Sequence, residues 1–179
     1  PSILCLGFLV FFASICEGGM FDWSGIYFKE VVKEELFTLG YLIFIACMAF
    51  SRFYSDRFVQ RFGMKKTYAV SASLIATGIA LAITFPFFWT TLTGFCLVGL
   101  GTAAIIPMTY TLAGTSDKYS AGMAISIIAT YGIMGMFIGP PLIGYLSHAF
   151  NLKISFILFI FSGLMLIPVS IRFFQLQKK

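Results

Sequence analysis

An all-α integral membrane protein, a bundle of six transmembrane helices, is the fold class this sequence predicts, and three observations predict it. The first is composition: 59% of the 179 residues are hydrophobic and 11% charged, with a mean hydropathy of +0.95. Soluble domains carry roughly 25% charged residues, so a deficit along the whole length makes lipid the solvent for most of the chain. The second is a series of six apolar stretches of ~20 residues or more, each long enough to cross a ~30 Å hydrocarbon core as a helix. Helices are required because lipid satisfies no exposed backbone group. The third is charge asymmetry. Arg52, Arg57, Arg61, Lys65, Lys66, Lys118, Arg172, Lys178 and Lys179 fall on one side of the spans, and Lys29, Lys33 and Lys153 on the other. The basic side is expected to be cytoplasmic, with both termini inside. The same asymmetry accounts for the formal net charge of +5 without a nucleic-acid partner.

The first span, about residues 2–28, contains Cys16-Glu17-Gly18-Gly19-Met20-Phe21-Asp22-Trp23-Ser24. A carboxylate near the bilayer centre costs ~2.5–3.5 kcal/mol on insertion scales, so such residues usually face a wet cavity and act there. Gly18 and Gly19 mark a place where this helix is expected to bend or unwind. After the polar stretch 29–35 comes the second span, about 36–54, then a basic loop over 55–66 and the third span, about 67–87. The aromatic turn Phe85-Pro86-Phe87-Phe88-Trp89 suits a membrane interface. The fourth span, about 89–113, holds Gly94, Gly99, Gly101 and Pro107; a short polar loop, 114–118, follows it. The fifth, about 120–145, holds Gly132, Gly135, Gly139, Pro140, Pro141 and Gly144, and the sixth covers about 152–174. Small residues let helices pack closely, while proline interrupts the hydrogen-bond ladder. The first, fourth and fifth spans are therefore expected to bend in a conformational cycle, at Gly18, Gly19, Pro107, Gly139, Pro140 and Pro141.

Cys5, Cys16, Cys47 and Cys96 all lie in apolar spans without C-x-x-C spacing, which fits buried thiols rather than a disulfide framework or a metal site. His148 is the single histidine, and no cofactor is implied. The chain begins without Met, and its first span lacks the basic flank and small-residue cleavage site of a secretory signal. The expectation is a fragment that begins part-way through a larger protein.

Between the second and third spans the chain reads Arg52-Phe-Tyr-Ser-Asp56-Arg57-Phe-Val-Gln-Arg61-Phe-Gly63-Met-Lys65-Lys66. This resembles the G-x-x-x-D-R-x-G-R-R/K signature that the major facilitator superfamily carries between neighbouring spans. It departs by Ser51-Arg52 where a leading glycine is common and by two extra residues before Gly63. Asp56 can accept charge-assisted bonds from arginine and from a helix N-terminus. Arg52, Asp56, Arg57, Arg61, Gly63, Lys65 and Lys66 are read as a latch made and broken between conformations. In the fifth span, Gly132 to Gly144 resembles the G-x-x-x-G-P-x-x-G patterns of the same superfamily.

The resemblance implies that residues 1–179 form the carboxy-terminal half, helices seven to twelve, of a twelve-helix carrier built of inverted three-helix repeats. It further implies an amino-terminal half, in the same polypeptide or another chain, and alternating access around a site near the midplane. The stretch from Glu17 to Ser24 resembles helix seven of some bacterial carriers for sugars or other small solutes.

On a helix advancing ~100° per residue, Ser14, Glu17, Met20, Phe21 and Ser24 share a face, while Asp22 lies about 140° away. Glu17 is the deeper carboxylate and the candidate proton or substrate site, with Asp22 nearer the outer interface. Ser24, Tyr27, Thr102, Thr109, Tyr110, Ser126, Thr130 and Tyr131 are further candidates to line a cavity. The aromatic and hydroxyl inventory suits a small, neutral polar solute such as a sugar, moved across the cytoplasmic (inner) membrane of a bacterium by proton symport. A drug or metabolite efflux antiporter is the alternative in the same superfamily. A membrane enzyme using Glu17 and Asp22 as acid and base is disfavoured, since no nucleophile, metal cluster or phosphate-binding loop accompanies them. A non-transporting membrane subunit, in which the carboxylates only pack, is the remaining reading.

Overall fold

The computed structural model describes residues 2–178. Pro1 and Lys179, the latter among the basic residues counted above, lie outside the described residues. Among the described residues all regular structure is helical. Helix α1 (Ser2–Tyr27) widens into a π-type turn over Phe28–Val32, which Lys33 ends in a left-handed conformation. Then follow α2 (Thr38–Phe62), α3 (Met64–Thr84), α4 (Phe88–Thr102), α5 (Ile105–Gly114), α6 (Ala121–Ala149), the short α7 (Leu152–Ser155) and α8 (Ile157–Gln177). Taking α4 with α5 and α7 with α8, these make six helical segments long and apolar enough to cross a membrane. The architecture is the all-α, six-span bundle expected from composition.

Helix α2 departs from its expected extent. Residues 55–62, read as loop, continue the helix to Phe62, and Gly63 alone separates α2 from α3. The reason is local. Arg57, Gln60 and Arg61 are good helix formers, and nothing breaks the run before Gly63, whose φ of +82° and ψ of +157° only glycine adopts readily. Arg52 consequently sits inside a helix, about 15 Å from its end at 1.5 Å per residue.

The three expected bending points behave differently. Around Pro107 the fourth span does break, at Ala103 and Ala104, because proline has no N–H for the carbonyl four residues back and its ring crowds that carbonyl. The ladder resumes with Met108 N–H donating to Ala104 O at 3.1 Å. Gly139, Pro140 and Pro141, by contrast, lie within an unbroken α6, and Gly18 and Gly19 within an unbroken α1. The α1 glycines are contact points rather than hinges. A side chain at Gly19 would run into the Phe159 ring, and one at Gly18 would come within 3.1 Å of Met136 Cγ.

Helix α1 is the centre of the bundle. It packs along α6 and α8 and also touches α2 and α5; α4 joins α2 to α3, and α3 closes onto α8. Close approach is obtained with small residues, as van der Waals packing between membrane helices requires: a methyl group on Gly78 of α3 would overlap the Gly94 carbonyl of α4, and the reverse also holds. Beneath α1, Tyr27, Phe95, Phe156 and Phe159 form a buried aromatic cluster, with Tyr27 and Phe156 centroids 4.3 Å apart. Ser2, the α5–α6 connection at Asp117 and Lys118, and Gln177 line one cavity, so both chain ends share one end of the bundle. Trp23, Glu30, Asn151 and Lys153 line another at the opposite end.

Candidate functional site

Glu17 lies halfway along the first span, 15 residues from Ser2 and 15 from Val32. That places it ~22 Å from either end. Its side chain is buried at 8% exposure, and Oε1 lies 3.4 Å from Arg52 Nη2 of α2. Among the described residues this is the one ion pair. The distance is long for a charge-assisted bond, ~2.7–2.9 Å at its best, so the pair is held loosely. The other carboxylate oxygen, Oε2, is buried and has no partner. Arg52 Nη2 also approaches Met48 Sδ at 3.8 Å, and its side chain remains half exposed. A buried acceptor without a donor beside a loosely paired one leaves the bonding of Glu17 incomplete.

The sequence singles out Glu17 as a candidate but not the residue it pairs with. Arg52, read with Asp56 as part of the latch, turns its guanidinium to Glu17, 35 residues away along the chain. A signal was available: Arg52 falls inside the apolar run 36–54 as Glu17 falls inside 2–28. An intramembrane cation asks for a partner as strongly as an anion does.

Asp22 does not join that pair. With α1 unbroken, it points elsewhere, is exposed, and opens into a cleft of about 510 Å³ between α1 and α6. Gly18 and Phe21 complete the α1 wall. The α6 wall is Ile133, Met136, Phe137 and the Pro140-Pro141 pair, none of which was singled out for its side chain beyond the two prolines. Pro140 and Pro141 have no N–H, so the carbonyls of Met136 and Phe137 lose their usual donors four residues on. Trp23 donates from Nε1 to Pro140 O at 3.0 Å and ties α1 to α6 beside the cleft.

The hydroxyl candidates are already engaged or buried in packing. Thr102 donates to Val98 O at 3.1 Å, Thr130 to Ser126 O at 3.0 Å, and Ser126 to Gly122 O at 2.8 Å. Thr109 bonds Ile105 O at 2.6 Å and shares a 2.7 Å bond with Tyr68 OH. Tyr27 donates to Ala82 O at 2.7 Å within the aromatic cluster. Ser24 is fully buried, with Oγ unpartnered. Tyr131 lies over Gly7, edge-on to Phe8, and Tyr110 packs half-buried against the core. Hydroxyls in membrane helices commonly bond back to their own helix in this way. These residues are not brought together with Glu17 and Asp22 in one cavity.

Asp56, Arg57, Arg61, Gly63, Lys65 and Lys66 are exposed together around the α2–α3 turn. Asp56 borders a cavity of about 160 Å³ against Ala104, Pro107 and Met108, at the break between α4 and α5. Among the described residues no three His, Cys, Asp or Glu side chains come close enough to hold a metal ion.

Comparison with known proteins adds the family. The Major Facilitator Superfamily model matches residues 3–179. The chain is 30% identical over 173 residues to the membrane protein MosC of Rhizobium meliloti, covering 96% of this chain and 42% of that protein. It is also 30% identical to an uncharacterized MFS-type transporter of Yersinia pestis, covering 86% of this chain and 41% of the other. An uncharacterized transporter of Sinorhizobium fredii matches at the same 30%, over 86% and 41% respectively. The chain thus spans about two-fifths of the length of these relatives. No solved structure matches.

Proposed function

We propose a transport role from the premise that this chain belongs to the Major Facilitator Superfamily: it is the carboxy-terminal half of a secondary active carrier that works by alternating access. An amino-terminal six-helix half completes the solute pathway, and the basic side, with both chain ends, faces the cytoplasm of a cell whose inner membrane holds the carrier. The observation that carries the reading is the Glu17–Arg52 pair at mid-span. Lipid-embedded charges are costly, so a loosely held pair there supports a role in the transport cycle. Protonation of Glu17 from outside frees Arg52, and proton loss to the inside re-forms the pair. Each state favours a different packing of α2 against α1. The exposed Asp56, Arg57, Arg61, Lys65 and Lys66 act at the cytoplasmic end as the latch on that movement.

Symport follows more simply than exchange. Antiport through one carboxylate requires proton and solute to compete for it, whereas Glu17 and Asp22 point to different sides of an unbroken α1, an arrangement that supports separate proton and solute sites. The solute is a small molecule with at least one polar group. The specific case for a sugar weakens, because the hydroxyls that suggested it bond to their own helices.

The test is uptake by the full-length protein in proteoliposomes under an imposed pH gradient, acid outside, over a panel of small solutes. Wild type is expected to accumulate at least one of them. Glu17→Gln is expected to exchange that solute across the membrane without accumulating it. Normal accumulation by the variant would sink the coupling role of Glu17 and leave it a packing residue.

A further inference from the structure

We propose that the α1–α6 cleft seats the transported solute and that its lining selects an amphipathic organic cation of one positive charge. This rests on the transport reading for the word transported; the binding chemistry stands on the cleft itself. The volume, about 510 Å³, is that of a small-molecule site. Asp22 is the one ionisable lining residue, and among the described residues it has no ion-pair partner. Phe21 and Phe137 supply aromatic faces, Ile133 and Met136 apolar wall, and none of the lining side chains carries an N–H or O–H. The backbone adds acceptors only, through the Met136 and Phe137 carbonyls that Pro140 and Pro141 leave without donors.

The wall this chain supplies, with acceptors and no donors, discriminates by chemistry. An anion meets a carboxylate and no counter-charge. A sugar's hydroxyls can donate to the carboxylate, but each hydroxyl oxygen also accepts, and no side chain of this wall donates to it. A bare inorganic cation wants an oxygen cage, six or more ligands for calcium-sized ions, where this wall is mostly carbon. An ammonium or iminium group on an apolar body satisfies the carboxylate, donates to the freed carbonyls, and lies against the aromatic faces in cation–π contact. The charge fixes orientation and the apolar body fills the remaining volume.

The experiment is equilibrium binding of ethidium, a flat organic cation with amino donors, to the detergent-purified full-length protein, read by fluorescence anisotropy. Wild type is expected to bind it saturably. Asp22→Asn is expected to weaken binding at least tenfold, Asp22→Glu to retain most of it, and Phe137→Ala to weaken it several-fold. Phe137→Ala also keeps the question open to an answer should Asp22→Asn fail to fold. Affinities unchanged in both Asp22→Asn and Phe137→Ala would overturn the assignment. So would saturable binding of glucose, followed by calorimetry, with ethidium excluded. No proton gradient enters this measurement, so the two readings fail separately. Ethidium binding lost in Asp22→Asn upholds the cleft even if no solute is driven by a pH gradient; gradient-driven uptake of a neutral solute with no ethidium binding overturns the cleft and leaves carriage intact.

Discussion

At the scale of single residues, the pairing of Glu17 with Arg52 decides how each behaves alone. Removing one member of a desolvated pair leaves the other without its counter-charge, whereas removing both leaves two polar groups that cost much less. Arg52→Gln is therefore expected to destabilise the full-length protein by about 1.5–3 kcal/mol, the range for a hydrogen bond to a charged group, with the low end favoured by its long 3.4 Å contact and half-exposed arginine. Glu17→Gln combined with Arg52→Gln is expected to recover most of that loss in thermal unfolding of detergent-solubilised protein. Effects that simply add, within ~0.5 kcal/mol, would mean the two groups do not interact. Glu17 was legible in the sequence because a carboxylate in an apolar run stands out on its own. Arg52 stood out in the same way inside the second apolar run, but their contact was not legible, because it depends on the rotation of two helices about their axes, and nothing within either span reports that. Asp22 was legible as a candidate for the same reason as Glu17, but its cleft depends on where α6 lies.

At the scale of helices, proline's effect depended on what its missing N–H would have met. Pro107 lies in the first turn of α5, where a helix start tolerates it, and the chain simply begins a new helix after Ala104. Pro140 and Pro141 lie deep in α6, whose contact with α1 holds the helix together while two carbonyls go without their intrahelical donors. Sequence shows where proline falls but not which tertiary contacts override it, so Pro107 and the Pro140-Pro141 pair looked alike. The same holds for Gly18 and Gly19, which read as a hinge until the Phe159 ring on α8 is set against them. Pro107→Ala restores the donor for the Ala103 carbonyl and is expected to fuse α4 with α5. A net hydrogen bond is worth ~1 kcal/mol, which slows amide exchange over residues 103–108 about five-fold. Exchange at the wild-type rate would show that the break is held by packing around Ala103 and Ala104 rather than by the proline.

At the scale of the whole molecule, burial is uneven in a way that points to a missing surface. Within the most apolar part of each span, 67% of the residues of the first helix are buried, against 22% for α2 and for α6. Helix α6, one wall of the cleft, thus leaves much of its length uncovered, and Phe137, at 76% exposure, stands at the cleft's edge. Lipid is one possible cover for that face and the proposed amino-terminal half is the other. The two differ in oxygen, which concentrates in the hydrocarbon core and is scarce at a protein interface or in a wet cavity. Phe161 of α8, exposed at 55% on a helix that does not line the cleft, supplies the lipid-facing reference. Nitroxides placed at the two positions in the full-length protein, in bilayers, are expected to differ. Oxygen relaxation should be strong at Phe161→Cys and several-fold weaker at Phe137→Cys. Equal relaxation would put the α6 face in lipid. The cleft would then be a groove on the outside of the bundle, and neither an enclosed pathway nor a solute seat beside Asp22 would survive, whatever Glu17 and Arg52 do at the other side of α1.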